Sequence, residues 1–255
     1  MAGDELVPRP TRGRVFTGSV RVRLADLSRT GRLRLDAIAR FMQDVASDDA
    51  VDAGQQPERA WVMRRLAVEL HDDRAAHLRD ELTLATWCSG VGRAWAERRT
   101  DIALGATTVA RATAVWVLID VASGRPVPLG PDFDAVFGEA AGGRSIGQRL
   151  SHPPPADGAR RDRWPVRTTD FDLLGHVNNA AYWAAAEDAL AMLDPRRAPR
   201  RVAIEFRGGI DPGEPVDLVQ MTDGNELRLW LTVAGDVRAS MRLDLAPSDR
   251  VAGRF

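Results

Sequence analysis

The chain has 255 residues, 44% apolar and 28% charged, enough to bury a core in one large domain or two of ordinary size and too apolar for disorder throughout. Its net charge is -1 and its pI near 6.4, which argues against a nucleic-acid-binding protein as a whole; every basic residue is an arginine, a compositional bias from which no function is read. Cys88 is the single cysteine, so no intrachain disulfide can form, and four scattered histidines give no metal-ligand spacing; neither metal nor cofactor is expected. Met1 to Pro10 has no signal-type apolar stretch, and no run approaches the roughly 18 apolar residues that span a bilayer. A cytoplasmic protein is expected.

In chain order, Val15 to Leu27 reads as a strand, and Leu35 to Ala53 as an amphipathic helix with apolar positions at Ile38, Phe41, Met42, Val45 and Ala46. Four strand-like runs follow, at Trp61 to Leu70, Glu81 to Val91, Ala94 to Leu104 and Thr107 to Val121, rich in Val, Thr, Trp and Leu. Gly124 to Arg163 turns Pro/Gly/Arg-rich and reads as a linker with one short helix. Beyond it come a short strand at Trp164 to Thr169, a helix from about Ala180 to Leu193, and strands at Arg201 to Arg207, Pro215 to Thr222, Glu226 to Val233 and Val237 to Leu245. Asp194-Pro195 is a natural helix stop.

The same series of elements therefore occurs twice, and residues recur with it. Arg64 to Leu70 matches Arg200 to Phe206 at an offset of 136, and Arg111-Ala112-Thr113 matches Arg238-Ala239-Ser240 at 127. Gly31 pairs with Gly175, and Gln43-Asp44 with Glu187-Asp188, at 144. A duplication is expected, with repeats over residues 12–123 and 164–247 and the linker at 124–163. The second helix is mostly alanine and apolar all round except for Glu187 and Asp188, so it is expected to be buried on every side. A small-residue helix wrapped by a curved antiparallel sheet is the hot-dog fold; two copies make an α+β tandem (double) hot dog.

Between Asp170 and Tyr182 the chain reads D-F-D-L-L-G-H-V-N-N-A-A-Y, holding two of its three asparagines and its only tyrosine. A polar turn before a helix would use Asn and Gly in the same way, whatever the function. This motif followed by Glu187, with Gly31 to Gly54, Thr86-Trp87-Cys88-Ser89-Gly90 and Ala114-Val115-Trp116-Val117, resembles the acyl-acyl-carrier-protein thioesterases over about Val15 to Leu245. The motif is also typical of single hot-dog acyl-CoA thioesterases. The resemblance implies a hydrolase that releases fatty acid from acyl carrier protein or CoA, with no cofactor and a place in fatty acid biosynthesis. Asp172 aligns with the acid used as base or nucleophile. His176 would orient the acid or water, or polarise the carbonyl. Backbone N–H groups around Asn178, Asn179 and Ala180 open the helix with its positive end outward, which suits an oxyanion. Asn178 and Asn179 are expected mainly as caps, Tyr182 as cavity lining or core, and Glu187 as a buried anchor for the loop. The first repeat has Ser28 and Arg32 where the second has Asp172 and His176, so one catalytic centre is expected, with Ile38, Phe41, Met42 and Val45 lining the acyl pocket.

The chain departs from the plant-type pattern at Leu174, where that pattern has a catalytic asparagine, and at Gly209-Ile210, where it has a Glu-Cys pair. Two other readings stay open: an acyl-thioester-binding or regulatory protein without catalysis, and a hot-dog hydratase or dehydratase. The latter typically places His five residues after Asp, whereas His176 follows Asp172 by four. The arginines at Arg160 to Arg163 and at Arg196-Arg197 could meet an acidic carrier or the phosphates of CoA, or be solvated. A double hot dog contains its own pseudo-dimer, so a monomer or a homodimer is compatible with it.

Overall fold

The computed structural model describes residues 6–54, 58–71, 75–193 and 197–246. The repeats build one ten-stranded antiparallel sheet. The first contributes β1 (Phe16–Arg21), β2 (Arg59–Leu70), β3 (Glu81–Val91), β4 (Trp95–Leu104) and β5 (Thr107–Asp120). The second contributes β6 (Arg160–Trp164), β7 (Pro199–Phe206), β8 (Val216–Asp223), β9 (Glu226–Val233) and β10 (Asp236–Leu245). The order β1-β3-β4-β5-β2-β7-β10-β9-β8-β6 is palindromic once β1 to β5 are equated with β6 to β10. Helices α1 (Leu35–Asp52) and α3 (Ala181–Leu193) are the two central helices and pack on each other, while α2 (Pro131–Ala141) lies on β3. This is the expected double hot dog.

The two halves join where β2 pairs with β7. Ala67 faces Ala203, with Leu66 against Ile204 and Val68 against Val202. The partners at the centre are the equivalent residues of the 136 offset, so the seam lies on a local two-fold axis. At its ends Arg65 faces Glu205 and Glu69 faces Arg201, so unlike charges oppose each other. In β5 and β10 the structure corrects the sequence alignment. Thr113 pairs with Ala67 and Arg242 with Ala203, an offset of 129 rather than 127. A slip of two keeps every side chain on its own face of the sheet, which is why residue similarity did not expose it.

Small side chains explain how the sheet closes on α3. Ala185, Ala186 and Ala189 are 0–3% exposed, and Tyr182, Trp183 and Leu190 complete its buried surface. The Asp194-Pro195 stop lies outside the described residues. At the two strand ends that the sequence misplaced, a carboxylate turns the chain. β1 ends at Arg21, and Asp26 then accepts the Arg23 N–H at 2.7 Å around a 3-10 turn. Asp170 accepts the Arg167 N–H at 2.8 Å in the same way. The strand expected at Trp164 to Thr169 therefore lies earlier, at Arg160–Trp164, where Pro165 ends it. There Arg161 and Arg163 both pair with Asp217.

The segment expected as a linker is folded. Pro131 at the first position and left-handed Gly142 after the last residue bound α2. The chain beyond is tied down where the Trp95 indole donates to Ile146 O at 2.8 Å and Glu205 accepts the Ser151 and His152 N–H groups at 2.6 and 3.0 Å. No helix of the described residues is long and apolar enough to cross a membrane.

If close approach of the sheet is what the α3 alanines provide, Ala186→Leu should lower unfolding free energy by about 1–3 kcal/mol through overpacking. The exposed Ala191→Leu should change it by no more than about 0.5 kcal/mol. Urea denaturation of both variants would measure the difference.

Candidate active site

The motif forms a turn that the first repeat also forms, bond for bond. Asp172 N–H donates to His176 O (3.0 Å) and Gly175 N–H to Asp172 O (3.0 Å); 144 residues earlier Ser28 N–H donates to Arg32 O (2.7 Å) and Gly31 N–H to Ser28 O (3.0 Å). Gly31 and Gly175 share a φ of +80°, a conformation that favours glycine. Asn178 N–H and Arg34 N–H each bond the carbonyl of the turn-forming aspartate, Asp170 and Asp26, at 2.8 Å. The backbone of the turn is common to both repeats; beyond it α1 begins at Leu35, whereas α3 begins at Ala181, two residues later than the equivalent position.

In the second repeat the turn aims a carboxylate. Asp172 Oδ1 accepts the Leu174 N–H at 2.9 Å and Oδ2 accepts the Asn178 side-chain amide at 3.3 Å. Asn178 Oδ1 in turn accepts the Ala180 N–H at 2.9 Å in the turn that leads into α3. Asn178, expected as a cap, thus braces that turn and holds the acid. The half-buried Asp172 lines a cavity of about 270 Å³, with Leu174 and Asn179 beside it. Trp61, Trp116, Phe133 and Phe137 form its aromatic walls, and α1 contributes Gln43, Ala46 and Ala50.

Ile38, Phe41, Met42 and Val45, singled out for the acyl pocket, are 0–5% exposed in the main core and do not line this cavity. The lining stripe of α1 is the adjacent one. Its apolar residues are small, and α2 from the expected linker supplies the two phenylalanines.

His176 faces elsewhere. Its Nδ1 lies 2.7 Å from Asp211 Oδ1, its side chain is 54% exposed, and it does not line the cavity. A Cβ built on Gly209 would sit 3.1 Å from that Nδ1, so the imidazole lies against the glycine that replaces the pattern's glutamate. Asp211, two residues on, supplies a carboxylate instead.

Of the amides at the start of α3, that of Asn178 bonds Asp170 O, that of Ala180 bonds Asn178 Oδ1 and that of Ala181 bonds Asn178 O. Among the described residues the Asn179 N–H has no acceptor. The oxyanion donors expected over Asn178, Asn179 and Ala180 thus reduce to one amide beside Asp172.

Tyr182 is 1% exposed and belongs to the core. Its ring meets Phe206 edge-on at 5.2 Å, and its hydroxyl, bonded to the Ile210 backbone, is pushed above its ordinary pKa by burial. Glu187 anchors a loop, but that of the other repeat. Its Oε2 accepts from Arg32 at 2.5 Å and its Oε1 accepts the Leu35 N–H at 2.6 Å, where α1 begins. It lines a second cavity of about 370 Å³ that has Ser28 in the place of Asp172.

Gln43 had no role in the sequence reading. It lines the Asp172 cavity, and its Oε1 is buried without a hydrogen-bond partner. The signal that could have found it was its pairing with Glu187.

With the double hot dog and the Asp172 cavity in place, the class is that of hot-dog thioesterases. The acyl-ACP thioesterase N-terminal domain family matches residues 13–137 and the C-terminal domain family matches residues 155–244. The chain belongs to the acyl-ACP thioesterase family. An uncharacterized protein of Mycobacterium tuberculosis (strain ATCC 25618 / H37Rv) is 27% identical over 239 residues, 93% of this chain and 95% of that one. Two crystal structures share the fold. An acyl-ACP thioesterase from Bacteroides thetaiotaomicron has a TM-score of 0.77 at 17% identity, covering 91% of this chain and 98% of that one. The 12:0-ACP thioesterase from Umbellularia californica has 0.77 at 16% identity, covering 94% and 100%.

Removing the Glu187 carboxylate should take the ion-pair carboxylate from the nearly buried Arg32 and free the first amide of α1. Glu187→Ala is expected to cost about 3 kcal/mol in denaturant unfolding. Cys88 lines the active cavity at 3% exposure, and burial pushes its thiol up to about 11. Iodoacetamide at pH 8 should therefore alkylate the native protein about a hundredfold more slowly than the urea-unfolded chain, as followed by mass spectrometry.

Proposed function

We propose that this protein hydrolyses fatty acyl thioesters of acyl carrier protein, or of CoA, to free fatty acid and carrier thiol. The observation that carries the proposal is that an aimed carboxylate, Asp172, and an uncommitted backbone amide, that of Asn179 in the turn leading into α3, line one cavity with aromatic walls. Hydrolysis needs these two groups: a base or nucleophile for attack, and a donor where negative charge grows on the carbonyl oxygen.

Asp172 acts here as base or nucleophile, positioned by Leu174 N–H and Asn178. With Leu174 exposed and offering no side-chain amide, the acid works without the asparagine of the plant-type pattern. His176, held by Asp211 at the surface, serves the loop or the carrier rather than the bond being broken. The buried, single thiol Cys88 suits the reducing cytoplasm, where a monomer with an internal pseudo-dimer, or a homodimer, would act within fatty acid biosynthesis.

The same turning away of His176 favours a second reading, an acyl-thioester-binding protein that has lost catalysis. Asp172→Ala separates the two. On an acyl-ACP and acyl-CoA panel of different chain lengths, it is expected to lower kcat about a thousandfold while the melting curve is preserved, because the turn is held by backbone bonds. Unchanged turnover would remove Asp172 from the chemistry. Binding without consumption by the native protein would establish the second reading.

A further inference from the structure

The counterpart of the Asp172 cavity under the local two-fold is a small one of about 60 Å³ lined by Ser28, Thr30, Glu187, Leu190 and Ala191, yet the α1 and α3 starts are treated differently, and one residue pair accounts for it. At the start of α1, the Leu35 amide is occupied by the Glu187 carboxylate at 2.6 Å, and Arg32 neutralises that carboxylate. The equivalent of Leu35 is Asn179, and the equivalent of Glu187 is Gln43. Gln43 and Asn179 line the same cavity, with Asp172. There the amide has no acceptor among the described residues, and the Gln43 Oε1 is buried without a partner. A carboxylate is drawn to a helix N-terminus by its charge; a neutral amide has no comparable pull. A buried carbonyl oxygen left unpaired costs free energy, and a donor entering the cavity would relieve that cost.

We propose that Gln43 is a catalytic residue, whose Oε1 accepts a hydrogen bond from the attacking water, and that the neutral side chain at this position leaves the Asn179 amide open for the thioester carbonyl. The inference rests on the hydrolase assignment and uses Asp172 as general base. Water bridges Gln43 Oε1 and the Asp172 carboxylate. Its oxygen bonds the carbonyl carbon as Asp172 takes one proton, and the carbonyl oxygen becomes an oxyanion at Asn179 N–H. The carbon–sulfur bond then breaks, and the leaving thiolate receives the proton from Asp172, giving carboxylic acid and thiol. In the first repeat Ser28 stands in the place of Asp172 and Glu187 fills the corresponding amide, so the equivalent cavity has neither that carboxylate nor an open donor.

The test compares Gln43→Leu and Gln43→Glu with the native chain, using kcat across pH and the Kd of a non-hydrolysable thioether analogue of the best acyl-CoA substrate. Melting curves verify the fold, with Gln43→Met as a second neutral variant. Gln43→Leu and Gln43→Met should lower kcat about tenfold to a hundredfold with KM and analogue Kd within about threefold. Gln43→Glu should lower kcat further and weaken the analogue at least about tenfold at pH 8. Both losses should diminish as pH falls and the introduced carboxyl takes up a proton, since only its charged form competes for the amide. Native kcat in folded Gln43→Leu and Gln43→Met would overturn the catalytic role and leave the thioesterase assignment standing. Equal analogue binding by Gln43→Glu and the native chain would overturn the open-amide argument. If the native chain turns over no thioester, the hydrolase assignment falls and the catalytic role of Gln43 with it.

Discussion

The pairing of β2 with β7 about Ala67 and Ala203 is the constraint on which the molecule depends. It makes two five-stranded sheets into one, and because equivalent residues face each other there, it imposes a two-fold relation on everything attached. Two curved sheets related in this way present two helices to one another, and α1 and α3 pack together across a shared apolar core. Each helix N-terminus then lies within reach of the other helix's middle. Glu187 at the start of α1, and Gln43 in the cavity at the start of α3, are two instances of that one geometric fact.

A two-fold scaffold would yield two equal sites if side chains followed it. They do not, and the departures are concentrated in few positions. The turn of Ser28 to Gly31 and that of Asp172 to Gly175 share their backbone bonds, so the aspartate is an addition to a structure that stands without it. Such separation of scaffold from side chains lets one repeat carry a cavity-lining carboxylate while the other carries an ion pair. Arg32 marks the difference well, since it stands where His176 stands and is turned inward to Glu187, whereas His176 is turned outward to Asp211.

The fold was legible because its signals are local or periodic. Glu81–Val91 and Glu226–Val233 emerge with the bounds that alternation and composition indicate, and the alanine-rich α3 is buried on the sides its composition requires. Periodicity reports burial but not what lies on the other side. Ile38, Phe41, Met42 and Val45 are buried against the core, while the stripe facing the cavity is Gln43, Ala46 and Ala50, less apolar and therefore less conspicuous. The two phenylalanines of α2 were hidden for another reason. Their segment is rich in Pro, Gly and Arg, and its order comes from distant partners such as Trp95 and Glu205, which no local window contains.

The cavity's composition also bears on how an acyl chain would be held. Aromatic rings on β2, β5 and α2 give area for dispersion and apolar burial, but the walls are not uniformly apolar: Arg98 lines the same space, with Nη1 donating to the buried Asp49 and its guanidinium 6.0 Å from the Phe137 ring. Asp49 also binds Arg14 at 2.7 Å, so one carboxylate serves two arginines. The buried Asp49 carboxylate thus holds Arg98 in the cavity wall, with Arg14 sharing its charge. A chain that reaches it meets a guanidinium stem and ring faces rather than open hydrocarbon. α1 thus provides both Asp49, which holds Arg98 in the wall, and Gln43, which lines the same cavity as Asp172.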